Sequence, residues 1–398
     1  MSGWCDPRFI KVQELFQHSF DSGEEIGAAV CIVLDGRCVI DLWGGHYDLA
    51  RKREWERDTL VNVYSTTKGM TALCAHQLIE RGLLDIEAPV AAYWPEFAAA
   101  GKERITIRWL LSHKAGLCGV RTPLPKDSLY DWDRMCAALA AQEPWWTPGD
   151  GHGYHAFTFG FLVGEVVRRV TGQSLGTFFR QHVAQPLGAD FHIGLGAQND
   201  WRTSDMYGVH IGNKPAPVKS PDAPAPGPFA EFARRLQEPG TLQQAALLNP
   251  PQDRDAVNTR AWRAAEIPAV NGHGTARALA RIYGALARGG EIDGVRIMQP
   301  ETIARATMEE VAGPERLFCG AVPMRFGLGF VLSDASHRYA RLSPNPRAFG
   351  HAGGGGSLGM ADPDHRIGFG FTLNNMHAGM VSAGATPTLL IDEFYKAL

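Results

Sequence analysis

The sequence lacks any apolar run long enough to cross a membrane. The longest early run, residues 26–34, is followed by Asp35, whereas a transmembrane helix needs about 20 apolar residues. The N-terminal residues include Asp6 and contain no apolar stretch of the kind found in export signals. We therefore expect a cytoplasmic protein without a membrane partner.

An excess of one charge and paired cysteines are also missing. The chain has 39 basic and 42 acidic residues, a net charge of −3, and nucleic-acid binding needs a basic excess. We therefore expect no nucleic-acid partner. The seven cysteines are odd in number and include no C-x-x-C pair. This pattern favours reduced, buried thiols over a disulfide framework.

The N-terminal part of the chain carries a hairpin signal. With 398 residues, 45% of them hydrophobic, the chain can form two packed lobes. Two β-rich runs, residues 28–34 and 37–43, are joined by Asp35-Gly36. This pattern predicts a type I′ turn, because both central residues of that turn need a positive φ. Helices are predicted on either side of the hairpin, over residues 9–20 and 67–83.

The rest of the chain is first mostly helical and then β-rich again. Helices are clearest at residues 162–170 and 276–288, and residues 215–228 form a loop with six prolines. The C-terminal part predicts strands at 326–332, 348–351 and 366–373 and a closing helix at 385–398.

These patterns together predict an α+β fold. One antiparallel sheet is built from both chain ends and flanked by helices, and a mostly helical lobe is inserted between them. The predicted domains are residues 1–84 plus 310–398 and residues 85–309. We expect the active site at their interface.

One motif places a serine and a lysine one helical turn apart. Ser65-Thr66-Thr67-Lys68 lies where a β-rich run meets a predicted helix, and residues three apart on a helix share a face. A lysine whose pKa is lowered by burial can act as the base for a serine nucleophile. The first N–H groups of a helix can also stabilise developing negative charge. Alternatively, Ser65 caps the helix and Lys68 is solvated, because S-x-x-K alone is a weak signal.

A second serine lies in a glycine-rich run. Residues 355–359, Gly-Gly-Ser-Leu-Gly, match the nucleophile elbow G-x-S-x-G, which must follow a strand and open a helix. Here a turn and another strand are predicted after Ser357, so we reject it as nucleophile. Residues 354–359 also satisfy G-x-G-x-x-G, but no βαβ unit surrounds them, so a dinucleotide site is not expected.

Further motifs accompany Ser65-x-x-Lys68. They are Leu-Leu-Ser-His-Lys-Ala-Gly-Leu at 110–117, Trp-Thr-Pro-Gly-Asp-Gly-His-Gly-Tyr-His-Ala at 146–156 and Phe-Gly-His-Ala-Gly-Gly at 349–354. Together they resemble the serine β-lactamase-like superfamily, with the class C β-lactamases and the family VIII carboxylesterases most similar. The resemblance extends from about residue 27 to residue 394 and implies a β-lactamase/transpeptidase-like fold.

The resemblance also implies residue roles. Ser65 corresponds to the acylated serine, Lys68 to its partner base and Tyr154 to the tyrosine that relays a proton. His351, Ala352 and Gly353 occupy the place of the Lys-Thr-Gly triad on the edge strand. By the same correspondence, the backbone N–H groups of Ser65 and Gly354 form the oxyanion hole, and no cofactor is required.

Two departures from the lactamase pattern bear on the substrate. Ala156 stands where lactamases have the asparagine of Tyr-x-Asn, and His351 stands where they have lysine. An amide group that recognises a β-lactam is therefore absent, and a cation for a substrate carboxylate is weakened. Both changes resemble the esterase branch.

We therefore expect a cytoplasmic carboxylesterase acting on a small-molecule, short-chain ester, with weak β-lactam hydrolysis still open. The alternatives are a class C-type β-lactamase, a D-amino-acid peptidase, an acyltransferase or a catalytically inactive binding homologue.

Other candidates have structural interpretations. For His113 a structural hydrogen bond is favoured over chemistry. His152 and His155 are three residues apart, but no third ligand or H-E-x-x-H pattern accompanies them, so a metal site is not expected. Most of the aromatic residues around Tyr154 are predicted to pack in the core, while one or two could line a pocket: Trp132, Trp145, Trp146, Phe157 and Phe159.

Overall fold

The computed structural model describes residues 1–208, 227–337, 340–377 and 385–398. The strands are β1 (Ser2–Cys5), β2 (Gly27–Leu34), β3 (Arg37–Gly45), β4 (Val61–Asn62), β5 (Phe191–His192), β6 (Tyr207–Gly208), β7 (His273–Gly274), β8 (Glu291–Ile292), β9 (Val295–Arg296), β10 (Val311–Pro314), β11 (Pro323–Phe326), β12 (Val331–Leu332), β13 (Phe349–Ala352), β14 (Leu358–Asp362), β15 (Ile367–Leu373) and β16 (Asn375–Met376).

The α-helices are α1 (Ile10–Asp21), α2 (Thr67–Glu80), α3 (Ile107–Leu111), α4 (Trp132–Ala141), α5 (Thr158–Thr171), α6 (Leu175–Phe179), α7 (Gln185–Leu187), α8 (Pro228–Gln237), α9 (Leu242–Leu247), α10 (Arg260–Ala264), α11 (Ala276–Ala287), α12 (Pro300–Ala306) and α13 (Ala385–Lys396). No helix of the described ranges is both long and apolar enough to cross a membrane.

The main sheet is antiparallel and contains strands from both ends of the chain. Its nine strands lie in the order β1-β3-β2-β15-β14-β13-β12-β11-β10. The first and last thirds of the sequence meet where β2 pairs with β15 over seven residues, Ala28–Leu34 against Ile367–Leu373. The predicted α+β fold class is confirmed.

The β2–β3 hairpin has the predicted turn. Asp35 and Gly36 adopt φ values of +49° and +83°, which is the requirement of a type I′ turn. The register shifts between Ile32 and Val33, and the sulfurs of Cys31 and Cys38 lie 3.8 Å apart across the hairpin. All seven cysteines lie in described ranges and are free.

Helices cover both faces of the sheet. On one face α11 packs on β15 with backbone contact, because a Cβ at Gly368 would lie 2.2 Å from the nitrogen of Gly284. On the other face the Phe16 ring of α1 lies 6.4 Å from the Phe371 ring of β15. Side chains of neighbouring strand residues point to opposite faces. Helix α13 joins α1 there, where Phe394 stacks on Phe9 at 4.3 Å.

Helix α2 runs through the interior of the molecule. Each of its residues from Thr67 to Ile79 is buried, so it has no solvent-facing side. The sequence pattern predicted one apolar face for this helix. In the structure the remaining faces are packed against protein as well. The polar residues on this helix must find partners inside the protein, which is the condition that creates the site described below.

The structure differs from the predicted elements at residues 326–332. The apolar run at residues 326–332 is not one strand as predicted but the hairpin β11–β12, because Gly329 adopts a φ of +87° and turns the chain. The proline-rich loop at 215–228 lies mostly outside the described residues. The two-domain division remains a prediction, although α11, which falls in the range assigned to the helical domain, packs on the sheet.

Candidate active site

Ser65 occupies a strained connection between β4 and α2. The preceding residue, Tyr64, has a φ of +44°, a conformation that costs energy in a residue with a bulky side chain. Thr66 is the N-cap of α2, and the N–H of Lys68 donates to the carbonyl of Ser65 at 2.9 Å. The turn thus holds the Ser65 and Lys68 side chains on the same side of the helix start.

The Lys68 amine is buried and has three polar neighbours. Its Nζ lies 2.7 Å from the carbonyl oxygen of Ala156, 3.0 Å from that of Ala269 and 3.2 Å from the Ser65 hydroxyl. Burial lowers the pKa of Lys68 well below its ordinary value, because the charged form loses hydration. In the neutral form that this shift favours, the two hydrogens of the amine can be given to the two carbonyls, which leaves the lone pair for Ser65.

The segment that carries Tyr154 has no regular secondary structure, so other groups must satisfy its backbone. Gly153 donates to the carbonyl of His113, and its own carbonyl accepts from the His155 ring at 2.7 Å. Tyr154 donates its N–H to Glu315, and His155 donates its N–H to the ring of His113. Together with the bond from Lys68 to Ala156, these contacts fix the segment against α2.

The Tyr154 side chain lies over the lysine. Its ring centroid is 4.6 Å from Lys68 Nζ, and it stacks on the rings of Phe318 at 6.1 Å and Phe326 at 6.2 Å. Its hydroxyl has no protein partner of normal hydrogen-bond geometry in the described structure. Burial raises the pKa of Tyr154, and the Ser65 hydroxyl opposes that shift. The phenol therefore keeps its proton at neutral pH.

His351 faces the same space from β13. The centroids of the His351 and Tyr154 rings are 6.0 Å apart. His351 Nδ1 lies 2.6 Å from the carbonyl of Ala352, which can only accept, so Nδ1 carries the hydrogen. Burial lowers the pKa of His351 to about 3, with Lys68 contributing. The neutral ring therefore presents a bare Nε2 lone pair, and Nε2 has no partner among the described residues.

The glycine-rich turn after β13 packs directly on the Ser65 turn. A Cβ at Gly353 would lie 2.2 Å from the carbonyl oxygen of Val63, so this position requires glycine. Ser357 donates to that carbonyl at 2.8 Å and shares a hydrogen bond with Thr66 at 3.0 Å. Ser357 is therefore bonded to the turn, and β14 rather than a helix follows it.

Two backbone N–H groups near this contact have no acceptor among the described residues. Neither Ser65 nor Gly354 donates its N–H in a hydrogen bond of normal geometry to another described residue. A donor without a partner can receive an oxygen atom from a bound substrate. The predicted role of these two groups in an oxyanion hole stays a prediction.

The structure thus brings Ser65, Lys68, Tyr154 and His351 together, and it also uses groups that no sequence motif identified. The carbonyl of Ala269 holds Lys68, and the buried carboxylate of Glu315 holds Tyr154. No local sequence signal marks either residue, because each acts through a contact between distant parts of the chain.

The remaining candidates have structural contacts. His113 accepts the N–H of His155 at 3.2 Å, as expected for a structural histidine. No group of three metal-ligating side chains occurs within the residues that the structure describes. Phe159 belongs to the main core, and the partly buried Trp132 and Phe157 pack against it. Phe157 also lines a recess of about 50 Å³ with Tyr64, Leu247, Val257 and Trp262.

The fold and this group of side chains define a serine β-lactamase-like protein. A sequence model of the Beta-lactamase family matches residues 12–391, and the chain belongs to that family.

Among its relatives, the chain is 37% identical to the esterase/beta-lactamase LipL of Mycobacterium tuberculosis, over 95% of this chain and 86% of LipL. It also resembles the crystal structure of a family VIII carboxylesterase, with 43% identity, a TM-score of 0.88 and coverage of 100% and 99%. A penicillin-binding protein homologue from Caulobacter crescentus is similar as well, with 35% identity, a TM-score of 0.85 and coverage of 100% and 99%.

Proposed function

We propose that this protein is a serine carboxylesterase that hydrolyses short-chain esters through an acyl-enzyme on Ser65. The observation that carries the proposal is the contact of the Ser65 hydroxyl with the Lys68 amine at 3.2 Å. When the amine is neutral and gives its two hydrogens to the carbonyls of Ala156 and Ala269, its lone pair is free to take the hydroxyl proton.

In the first half of the reaction, Ser65 Oγ bonds to the ester carbonyl carbon while its proton passes to Lys68 Nζ. The carbonyl oxygen becomes an oxyanion, and in this proposal the N–H groups of Ser65 and Gly354 bind it. When the carbon–oxygen bond to the alcohol breaks, the leaving alkoxide takes a proton from the Tyr154 phenol. The Lys68 ammonium then returns its proton to the tyrosine.

In the second half, water attacks the acyl-enzyme. Lys68, acting directly or through Tyr154, accepts the proton of the water. The oxyanion forms in the same site, and Ser65 Oγ leaves as a hydroxyl group after receiving that proton. The enzyme returns to its starting state with one carboxylic acid and one alcohol released, so no cofactor is required for this sequence of steps.

Two features support an ester rather than a β-lactam as the preferred substrate. Ala156 offers no side-chain amide to a substrate, and neutral His351 offers no cation to a carboxylate. The preference for a short acyl chain rests on the similarity to the family VIII carboxylesterase. β-Lactam hydrolysis is the second candidate activity, and it rests on the name and similarity of LipL.

A cytoplasmic location stays a prediction.

The nucleophile is tested by a matched pair of serine variants. Ser65→Ala should lower kcat for p-nitrophenyl butyrate by on the order of 10⁶-fold, as loss of a nucleophile does in other serine hydrolases. Ser357→Ala should keep most of the activity, since Ser357 only ties the turn to Val63 and Thr66. A fluorophosphonate adduct located by peptide mass mapping should lie on residue 65. An adduct elsewhere would overturn the mechanism, and no adduct would support an inactive binding homologue.

The substrate class is tested by a comparison of rates. We expect a higher kcat/KM for the butyrate ester than for a chromogenic cephalosporin. A cephalosporin rate that equals the ester rate would instead favour a β-lactamase. Product analysis with added alcohols separates hydrolysis from acyl transfer, because a transferase would form new esters at the expense of free acid.

A further inference from the structure

A buried carboxylate that the proposed reaction does not use lies behind the Tyr154 segment. Glu315 follows β10 and is 1% exposed. Its Oε2 accepts the N–H groups of Tyr154 at 2.9 Å and Leu317 at 2.8 Å, and its Oε1 accepts the N–H of Phe318. Three main-chain donors therefore converge on one side chain.

This carboxylate has no counterion in the described structure, where no basic side chain forms an ion pair with it. Burial raises the pKa of Glu315 to about 7, and its three hydrogen bonds act in the opposite direction. Burying an unpaired acid is costly. The bonds to Leu317 and Phe318 stay within the turn that begins at Glu315, whereas the bond to Tyr154 joins this turn to the active-site segment.

The contacts of Glu315 reach Tyr154 by two routes. The first is direct, because the Tyr154 N–H has the Glu315 carboxylate as its acceptor. The second passes through Phe318, whose N–H is held by Oε1 and whose ring stacks on the Tyr154 ring at 6.1 Å with 26° between the planes. One carboxylate therefore holds both the main chain of Tyr154 and an aromatic side chain that packs on its ring.

We propose that Glu315 is a positioning residue for Tyr154, which sets the place of the phenol relative to Lys68 and Ser65. The proposal rests on the proposed function of Tyr154 as proton donor. The Tyr154 hydroxyl interacts with the Ser65 hydroxyl but has no protein partner of normal hydrogen-bond geometry in the described residues, so its main chain and the rings around it contribute to its position. Proton transfer requires donor and acceptor within hydrogen-bond reach.

The test is a double-mutant cycle with p-nitrophenyl butyrate. Glu315→Ala should lower kcat by about 10- to 100-fold with little change in KM, because small displacements of a reacting group are costly. Glu315→Gln keeps one accepting oxygen and should have a smaller effect. In a Tyr154→Phe background, neither change should lower kcat further, since coupled residues are not additive.

A matched control uses another carboxylate that holds main chain away from the tyrosine. Glu266 accepts from the Ser174 hydroxyl at 2.7 Å and from the Gly176 N–H at 2.8 Å. Glu266→Gln should leave kcat near the parent value. Melting temperatures of all variants are measured, and kinetics are compared well below each of them. If Glu315→Ala does not fold, the double-mutant cycle with Tyr154→Phe is measured with Glu315→Gln instead.

The outcomes separate this proposal from the proposed function. If Tyr154→Phe lowers kcat and the Glu315 changes lower it further by the same factor in both backgrounds, Glu315 acts independently and the positioning role is wrong. If Tyr154→Phe itself leaves kcat unchanged, the role given to Tyr154 in the reaction is wrong. A rise in KM with an unchanged kcat would also contradict a positioning role.

Discussion

At the scale of single residues, two buried lysines differ in the kind of oxygen that surrounds the amine. Lys102 Nζ lies against three carbonyl oxygens, those of Ala99, Ala140 and Gln142, which match the three hydrogens of an ammonium. Lys68 Nζ lies against two carbonyls and a hydroxyl. Burial lowers the pKa of both lysines, but only Lys68 has a hydroxyl among these neighbours, so only there can a neutral amine take a proton from a nucleophile.

This contrast predicts the pH dependence of the reaction. The pKa of Lys68 is lowered by burial, so the neutral base form exists above that lowered value and is lost as the pH falls through it. We expect kcat/KM for p-nitrophenyl butyrate to decrease on the acid side while the protein remains folded. Lys68→Arg, which stays protonated, should lose about 10²- to 10⁴-fold at every pH. The control Lys114→Arg should follow the parent profile, and an active Lys68→Arg would contradict the assignment of the base.

The neutral His351 ring leads to a second prediction, which concerns the charge of the substrate. Its hydrogen lies on Nδ1, toward Ala352, so a substrate carboxylate would meet a lone pair rather than a donor. His351→Lys should therefore improve kcat/KM for 4-acetoxybenzoate relative to its methyl ester by about tenfold, since a hydrogen bond to a charged group contributes about 1.5–3 kcal/mol. His351→Gln is the neutral control. An unchanged ratio in the lysine variant would place residue 351 away from the leaving group.

At the scale of elements, local chemistry decides what could be predicted. The hairpin turn at Asp35-Gly36 could be predicted because both residues tolerate the positive φ that the turn needs. The strand predicted at 326–332 was wrong because its apolar side chains concealed a glycine turn at Gly329. The helix after Ser65 was predicted from its periodicity, but its complete burial depends on neighbours far away in the sequence.

The close contact between helix α11 and strand β15 predicts how a glycine substitution changes stability. A Cβ at Gly368 would lie 2.2 Å from the Gly284 nitrogen and 2.3 Å from the Ala280 carbonyl oxygen, and main chain cannot move aside as a side chain does. Gly368→Ala should therefore lower the free energy of unfolding by about 1–3 kcal/mol or more. Urea titration followed by tryptophan fluorescence measures this change. Gly227→Ala, where a Cβ meets nothing within 4 Å, should change it by less than about 1 kcal/mol. Equal effects would exclude the packing explanation.

At the scale of the whole molecule, the parts of the site that sequence could not predict are its long-range supports. Lys68 and the Ala269 carbonyl are 201 positions apart, and Tyr154 and Glu315 are 161 apart. The ordered motifs identified Ser65, Lys68 and Tyr154, because family resemblance records residues that carry chemistry. It does not show which carbonyl or carboxylate the fold brings beside them.

The same burial that creates the site should also make the folded molecule less stable in acid. Six histidines of the described residues are buried, and burial is the main cause of the lowered pKa of each one: His76, His113, His152, His155, His273 and His351. A lowered pKa in the folded state means that below pH 6.5 the unfolded chain binds more protons, so stability falls as the pH falls. Buried carboxyl groups with a raised pKa, such as Glu315, act in the opposite direction but are fewer.

We therefore expect the urea midpoint to fall between pH 7.5 and pH 5.5, with each such histidine contributing up to about 1.4 kcal/mol per pH unit. His76→Gln tests one member, because His76 Nε2 bonds the Leu328 carbonyl at 2.8 Å and a glutamine amide can donate to the same oxygen. This variant should have a shallower dependence of the midpoint on pH. His18→Gln on the exposed surface should keep the parent slope. A midpoint that is constant or rises toward acid, or two variants with the same slope, would show that the buried imidazoles do not control acid unfolding.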